Sequence, residues 1–461
     1  MKAMRGAWLA AWLCFAFAVI VNCGGGGGTS TSTTTTTSVT GTTATTSTTA
    51  TTSTTSGDTG TTGRPPVAPT PSCRLTTSNR SVQATPRVAN GDPNVMVPES
   101  SVSNLLDAGM KAHTNHLIYV GGRTTRTGAA QSGYSPSQIA NSYGFTPSGS
   151  GAIAVVDAYN YPEALNDFNV FASQFNLPRE TSKVATDSTN PVFQVVYATG
   201  TAPSDDASWA EESSVDMEWA HAMAPNAKIY LVEAASSAMS DIMSAVAVAK
   251  TLPGVREVST SFGTAETACS YADYDSDLVQ SGVAFFASAG DSPGERDFPS
   301  LSLNAVCVGG TTLNAGPTGI WESETVWNST GCGPSTFEPR PVFQDTYYSK
   351  VGLYRGGCDI VADSDPNTGV AAYDSFPYQG SSGWMQVGGT SVACPIITGI
   401  ANSSNVVVGS SQALNSILYG AAGSHYFHAI TGSSGGFTAS TPWSFASGLG
   451  SPAGVSGLVG G

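Results

Sequence analysis

The 461-residue sequence predicts an α/β domain built on a mostly parallel sheet covered by helices on both faces. From residue 134 onward, short β-branched and aromatic runs alternate with segments of helical spacing. The short runs are apolar almost throughout, as strands buried on both faces are. A glycine turn, Gly388-Gly389-Thr390-Ser391-Val392-Ala393-Cys394-Pro395, leads from a strand into an apolar helix. In such sheets ligands gather at the carboxyl ends of strands, where Asp157, Asp291 and Ser391 fall.

Taken in order, residues 152–157 predict the first buried strand. A helix follows over 163–175, with Leu165, Phe168, Phe171 and Phe175 on one face. Strands are expected at 193–197, 228–232, 255–261, 283–287 and 304–308, and helices at 208–223, 240–250 and 391–401. Pro395 is expected within the first turn of the last helix, where a missing N–H costs least. Upstream, 101–111 predicts a short helix and 116–120 a strand.

The chain ends and the charge bound the setting. Lys and Arg number 18 against 33 Asp and Glu, for a formal net charge of -15. That balance excludes nucleic acid and anionic membrane surfaces as partners and suits an exported protein working in acid. Lys2 and Arg5 precede an apolar run over 7–21, too short for a membrane span. The run ends at Ile20-Val21-Asn22-Cys23 before a glycine tract, which resembles a bacterial lipoprotein signal with Cys23 lipidated. The expected divisions are an export signal (1–23), a Thr/Ser/Gly-rich disordered tether (24–72), an N-terminal arm or reduced pro-segment (73–133) and the main domain (134–461). The expected location is the cell envelope or the exterior, with membrane contact only through the lipid on Cys23.

Six cysteines lie beyond the signal, and none has C-x-x-C spacing, so a zinc site is not indicated. Cys332 and Cys358, both in glycine-rich loops, are the expected disulfide, while Cys307 and Cys394 in apolar runs read as packed free thiols. His113 and His116 have no carboxylate or cysteine near them in sequence and read as surface histidines.

Ser391 has the setting of a nucleophile: a glycine turn, then a helix N-terminus that favours developing negative charge. Its base is not a histidine. The chain has five histidines, and the one near carboxylates, His221, lies five residues past Asp216 and points off their face. Glu212 and Asp216 are i, i+4 on one helix face. Two like charges there share a proton and have separated apparent pKa values. Asp291 stands just past a buried strand in Ala289-Gly290-Asp291-Ser292.

Together these motifs resemble the sedolisin family, serine-carboxyl peptidases on a subtilisin-like fold, over about residues 134–452. The resemblance rests on Glu212-x-x-x-Asp216 with Trp219-Ala220-His221-Ala222-Met223-Ala224-Pro225, on Ala289-Gly290-Asp291-Ser292, on Val308-Gly309-Gly310-Thr311-Thr312, and on Gly389-Thr390-Ser391-x-x-x-Pro395. It also rests on Ala362-Asp363-Ser364-Asp365-Pro366-Asn367-Thr368-Gly369 and Ser447-Gly448-Leu449-Gly450-Ser451-Pro452. It implies a three-layer subtilisin-like domain and an endopeptidase acting on proteins or peptides in acid. Ser391 would be nucleophile, Glu212 general base and acid, Asp216 its orienting partner and Asp291 the oxyanion-side acid. Gly389, Thr390, Ser261 and Gly263 fall on the substrate side.

The chain departs from the family in two places. Family members bind calcium near the C-terminus through an Asp in an Asp-Ile-Thr turn and an Asp after Gly-Trp. Here those positions hold Ala429 and Ser444, so no metal or other cofactor is expected. The family's large inhibitory prodomain also does not fit before residue 134. Two other readings remain: a catalytically silent surface-binding lipoprotein on the same fold, and a hydrolase using Asp157, His221 and Ser391.

Overall fold

Alternate residues of the first core strand face different helix layers, which is what a parallel sheet covered on both sides requires. Ile153 and Val155 pack with Phe168, Ala210 and Met217. Ala154 and Val156 pack with Ile242, Met243 and Val246 on the other face. The computed structural model describes residues 64–71, 73, 91–121 and 132–459. The expected signal, Cys23 and nearly all of the tether lie outside these residues.

In chain order the first strands are β1 (Val95–Met96), β2 (His113–Thr114) and β3 (Leu117–Tyr119). After α1 (Pro136–Ser142) come β4 (Ala152–Ala158), α2 (Ala164–Gln174), β5 (Phe193–Tyr197) and α3 (Ala207–Met223). Next are β6 (Lys228–Ala234), α4 (Met239–Ala249), β7 (Val255–Thr260), β8 (Phe262–Ala265) and α5 (Ala268–Tyr274). Then follow β9 (Ala284–Ser288), β10 (Asp297–Phe298), β11 (Val306–Ala315) and β12 (Trp321–Val326). β13 (Gly333–Pro339), α6 (Tyr348–Val351) and β14 (Tyr354–Gly357) precede β15 (Ile360–Asp363). Last come β16 (Val370–Tyr378), β17 (Ser381–Gly388), α7 (Thr390–Ser403) and α8 (Ser411–Gly420).

The main sheet runs β12-β11-β9-β7-β4-β6-β5, with β15 as a further neighbour of β11. Every pairing in it is parallel except β11 with β12. The sequence locates most of these elements to within a residue or two. β11 outruns its expected end because it continues past Gly309-Gly310 as the partner of β12 and β15.

Three expectations are corrected. Residues 101–111 form no single helix but two short 3₁₀ turns, Glu99–Ser101 and Leu105–Asp107. The Asn104 side chain takes the N–H of Leu106 at 3.0 Å, an Asx turn that breaks the run. Pro395 lies not in the first turn of α7 but inside the helix. Its missing N–H leaves the Ser391 carbonyl without its i+4 donor, and the Ser261 hydroxyl approaches that oxygen at 3.4 Å. Cys332 and Cys358 are not bridged: both are buried free thiols, Cys332 Sγ turned to the Ser434 carbonyl and Cys358 Sγ to that of Gly331. The bridge instead joins Cys73 to Cys269 on α5. Cys307 and Cys394 are buried free thiols, as expected.

A buried ion pair anchors the loop ahead of β15. Arg355 is fully buried and forks onto Asp359 at 2.9 and 2.5 Å. Asp359 also accepts from Cys307 N and Tyr419 Oη, each at 2.8 Å. Arg355→Ala is expected to destabilise the fold by about 3–5 kcal/mol, because it leaves Asp359 buried without a counter-charge. Urea unfolding checks this, and a loss below about 1 kcal/mol would contradict it.

Candidate active site

The site is built by three elements: α3, the turn into α7, and the end of β9. The Asp206 side chain caps α3, accepting from Ser208 N and Trp209 N at 3.0 Å each. Every residue from Ser208 to Met223 is buried, so the acidic residues of this helix are interior groups rather than a solvated face. Glu218 accepts the Tyr373 N–H at 3.0 Å. Glu212 and Asp216 are fully buried.

Ser391 sits in the first turn of α7 and is fully buried. Its Oγ donates to the Ser261 carbonyl at 3.0 Å, and the Ser261 Oγ donates to Asp216 Oδ1 at 2.7 Å. Ser261 thus links Ser391 to the α3 carboxylates. Gly389 turns the chain into α7 at φ 103, a conformation that strains any residue with a β-carbon. A β-carbon there would strike Asp291 Oδ2 and the Asn115 carbonyl oxygen. Asp291, just past β9, accepts from Thr390 N at 2.8 Å and Thr390 Oγ1 at 2.9 Å, which leaves its Oδ2 facing the cleft without a partner. Direct contacts thus link Ser391 with Ser261 and Asp216, and Asp291 with Thr390 and Gly389; Glu212 lies one turn from Asp216 on α3, and Gly263 two residues past Ser261 on β8.

Electrostatics follow from this burial. Burial raises Asp291 well above the ordinary carboxyl range; the charges of Glu295 and Glu212 add to it, and the Thr390 hydrogen bonds oppose it. Asp216 is likewise raised, by burial and then by the charges of Asp157 and Glu212. Asp157 on β4 is raised by burial and then by Glu212, so it belongs to the same acidic cluster. The structure does not bring His221 to Ser391. Its Nε2 lies 2.8 Å from the Pro178 carbonyl, its ring packs on Phe168, and burial lowers it to about 4.

His113 and His116 are not surface residues. His116 is fully buried, with Nδ1 2.5 Å from Glu212 Oε2 and Nε2 3.7 Å from Glu211 Oε2. His113 Nε2 lies 3.3 Å from Asp297 Oδ2 on β10. Burial alone would lower both imidazoles. The charges of Glu212 and Glu211 on one, and of Asp297 and Glu295 on the other, outweigh it and hold each up to about 9. Nothing near these histidines in sequence announces the contact, because their carboxylates lie on distant elements. The apolar run just after His116 was the one hint of burial.

At the two positions compared with the family's calcium ligands, Ala429 offers no side-chain ligand atom, and the Ser444 Oγ is paired with Ser447 Oγ at 2.7 Å. The preceding Trp443 is fully buried, with its Nε1 on the Cys358 carbonyl at 3.0 Å.

Comparison with known proteins agrees with this architecture. Residues 199–404 match the model of the subtilase family of peptidases. A stretch of 113 residues is 35% identical to sedolisin of Pseudomonas sp. (strain 101), and the match spans 18% of that relative's length. The solved structure of Pseudomonas sedolisin, a serine-carboxyl proteinase complexed with pseudo-iodotyrostatin, superposes with a TM-score of 0.58 at 24% identity. That superposition covers 70% of this chain and 96% of that one. The fold is that of a subtilisin-like protein. Within that class the chain is similar to sedolisin.

Proposed function

We propose that the protein is an exported serine-type endopeptidase that hydrolyses protein and peptide substrates in acid. The observation that carries this reading is the buried cluster in which Ser391 Oγ donates to the Ser261 carbonyl and the Ser261 hydroxyl donates to Asp216, with Glu212 on the same helix as Asp216 and Asp291 held by Thr390. Ionised Glu212 takes the Ser391 proton as Oγ attacks the substrate carbonyl, then hands it to the departing amine. Asp216 holds the charge balance of the pair. Asp291, kept protonated by burial, donates to the oxyanion beside the Ser391 N–H. Water then hydrolyses the acyl-enzyme by the same path. The demand that Asp291 be protonated favours acid.

Assay of the purified chain on a peptide library at pH about 4 and about 7.5 tests this, with faster endoproteolytic cleavage expected in acid. A rate maximum near pH 8 would contradict the mechanism. Location at the envelope through lipid on Cys23 is a separate part of the proposal. Fatty-acid probe labelling should be lost in Cys23→Ala; equal labelling removes the anchor. Among the described residues, no helix is long and apolar enough to cross a membrane. We also expect the melting temperature to be the same in calcium and in chelator. A calcium-dependent rise that maps to residues 425–445 would restore the metal.

A further inference from the structure

We propose that Cys307 and Cys358 are an oxidation site, closed by an external disulfide into a second bridge that ties β11 to the loop ahead of β15. Cys307, Cys332 and Cys358 are each at most 1% exposed and share one apolar cluster with Ala289, Val361 and Ala446. Two glycines make room for the first and last of these thiols to meet. Gly309 lies two residues past Cys307 on the same face of β11, and a β-carbon there would strike Cys358 Sγ. Gly357 precedes Cys358, and a β-carbon there would come within 2.9 Å of Cys307 Sγ. Each sulfur fills the space that a glycine leaves beside the other cysteine.

Backbone bonds hold this juxtaposition. Cys307 N donates to Asp359 Oδ2 at 2.8 Å, and Asp359 N donates to the Cys307 carbonyl at 2.9 Å. Cys358 is thereby fixed one residue from the point of contact, and its own N–H donates to the Phe445 carbonyl at 2.7 Å. The Cys358 thiol is raised well above its ordinary value, first by its hydrogen bond with the Cys307 thiol and then by burial. Closure would give up one weak contact, Cys358 Sγ to the Gly331 carbonyl at 3.4 Å. Cys332 turns elsewhere, its Sγ on the Ser434 carbonyl at 3.5 Å, and Cys394 lies on α7 beside Ser259. The bridge would stand behind the site, since Cys307 pairs with Ala287 on β9, the strand that leads to Asp291.

The chain already holds one disulfide, Cys73–Cys269, so its fold is compatible with an oxidising setting. That the chain meets such a setting rests on the export reading above. Closure belongs to folding, because the finished pocket shuts out reagents and disfavours thiolate. One cysteine thiolate attacks a sulfur of a disulfide donor, such as oxidised glutathione, and the first donor thiol leaves. The other thiolate attacks the protein sulfur of that mixed disulfide, and the second donor thiol leaves. The cysteines lose two electrons and two protons, and the donor disulfide gains them. Burial pushes Cys332 up to about 12, so the folded pocket holds little thiolate to reopen the bridge.

The test uses the full chain as Ser391→Ala, so that copies do not digest one another. The chain is unfolded in reductant and refolded in mixed oxidised and reduced glutathione. It is then alkylated in denaturant and mapped by mass spectrometry without reduction. The same mapping of chain exported by a bacterial host, alkylated at harvest, gives the answer without refolding. The expected result is Cys307 linked to Cys358, Cys73 linked to Cys269, and Cys332 and Cys394 alkylated. The bridged chain should also melt about 5 °C or more above its Cys307→Ala variant. Cys332 bridged to either cysteine, or Cys73–Cys269 closed while Cys307 and Cys358 are both alkylated, overturns the bridge. A chain that closes both bridges on refolding but is retained in the cell with reduced cysteines keeps the bridge and removes the export reading. Peptide hydrolysis by the wild-type chain is scored separately, so its absence would remove the peptidase reading and leave the bridge standing.

Discussion

Ser391→Ala and Glu212→Gln are each expected to lower kcat/KM on peptides in acid by about 10⁴-fold or more with the fold intact. Ser391 loses the attacking atom, whereas Gln at 212 cannot carry the proton between Oγ and the leaving amine. Asp291 separates the mechanism more finely. Its Oδ1 is taken by Thr390, so only Oδ2 can serve the oxyanion, and only when protonated. Asp291→Ala should cost about 10²–10³-fold, the usual loss for one oxyanion donor. Asp291→Asn keeps an oxygen for Thr390 and aims an NH₂ at the cleft at every pH. It is therefore expected to retain activity and to move the alkaline limb of the pH–rate profile upward. A limb left where it was would show that it belongs to another group. Activity preserved in Ser391→Ala would dismiss the nucleophile altogether.

The second large effect is on stability. The melting temperature of Ser391→Ala, used to prevent digestion of one copy by another, should fall by about 10 °C or more between pH 5 and pH 8. Burial pushes Glu233, Glu257 and Glu338 from 4.5 up to about 8 each. A carboxyl whose folded pKa exceeds its unfolded one keeps its proton longer in the folded chain. Its contribution is present in acid and is lost as pH climbs from 4.5 to about 8. His113 and His116 act in the same direction, their contribution being complete below 6.5 and lost by about 9. His221 opposes them only below 6.5, as its folded value is lowered to about 4. Calorimetry across this range decides the matter. Glu257→Gln, which can keep the Asn402 contact of 2.7 Å, should flatten the profile. A chain more stable at pH 8 than at pH 5 would refute the sign.

Local pattern was enough for the scaffold because each core strand and helix carries its own apolar signature. β4, β5, α3 and α7 begin and end within two residues of where their sequences place them. Glu212 and Asp216 share a face because i, i+4 residues must, and His221 turns away for the same reason. Cysteine pairing was not legible, since it depends on which loops meet. Nor was the break at Asn104, where one side chain outcompetes a weak helix.

The sequence alone determined the layered α/β class, the serine at a helix start and the carboxylate pair on one helix face. These are short-range facts, set by spacing along a single element. Tertiary structure alone decided what lies in the cleft. His116 and Glu212 stand far apart in the chain, and only pairing of the arm with both β8 and β17 brings them within 2.5 Å. Two histidines that read as surface residues become buried cations because folding carries distant carboxylates to them.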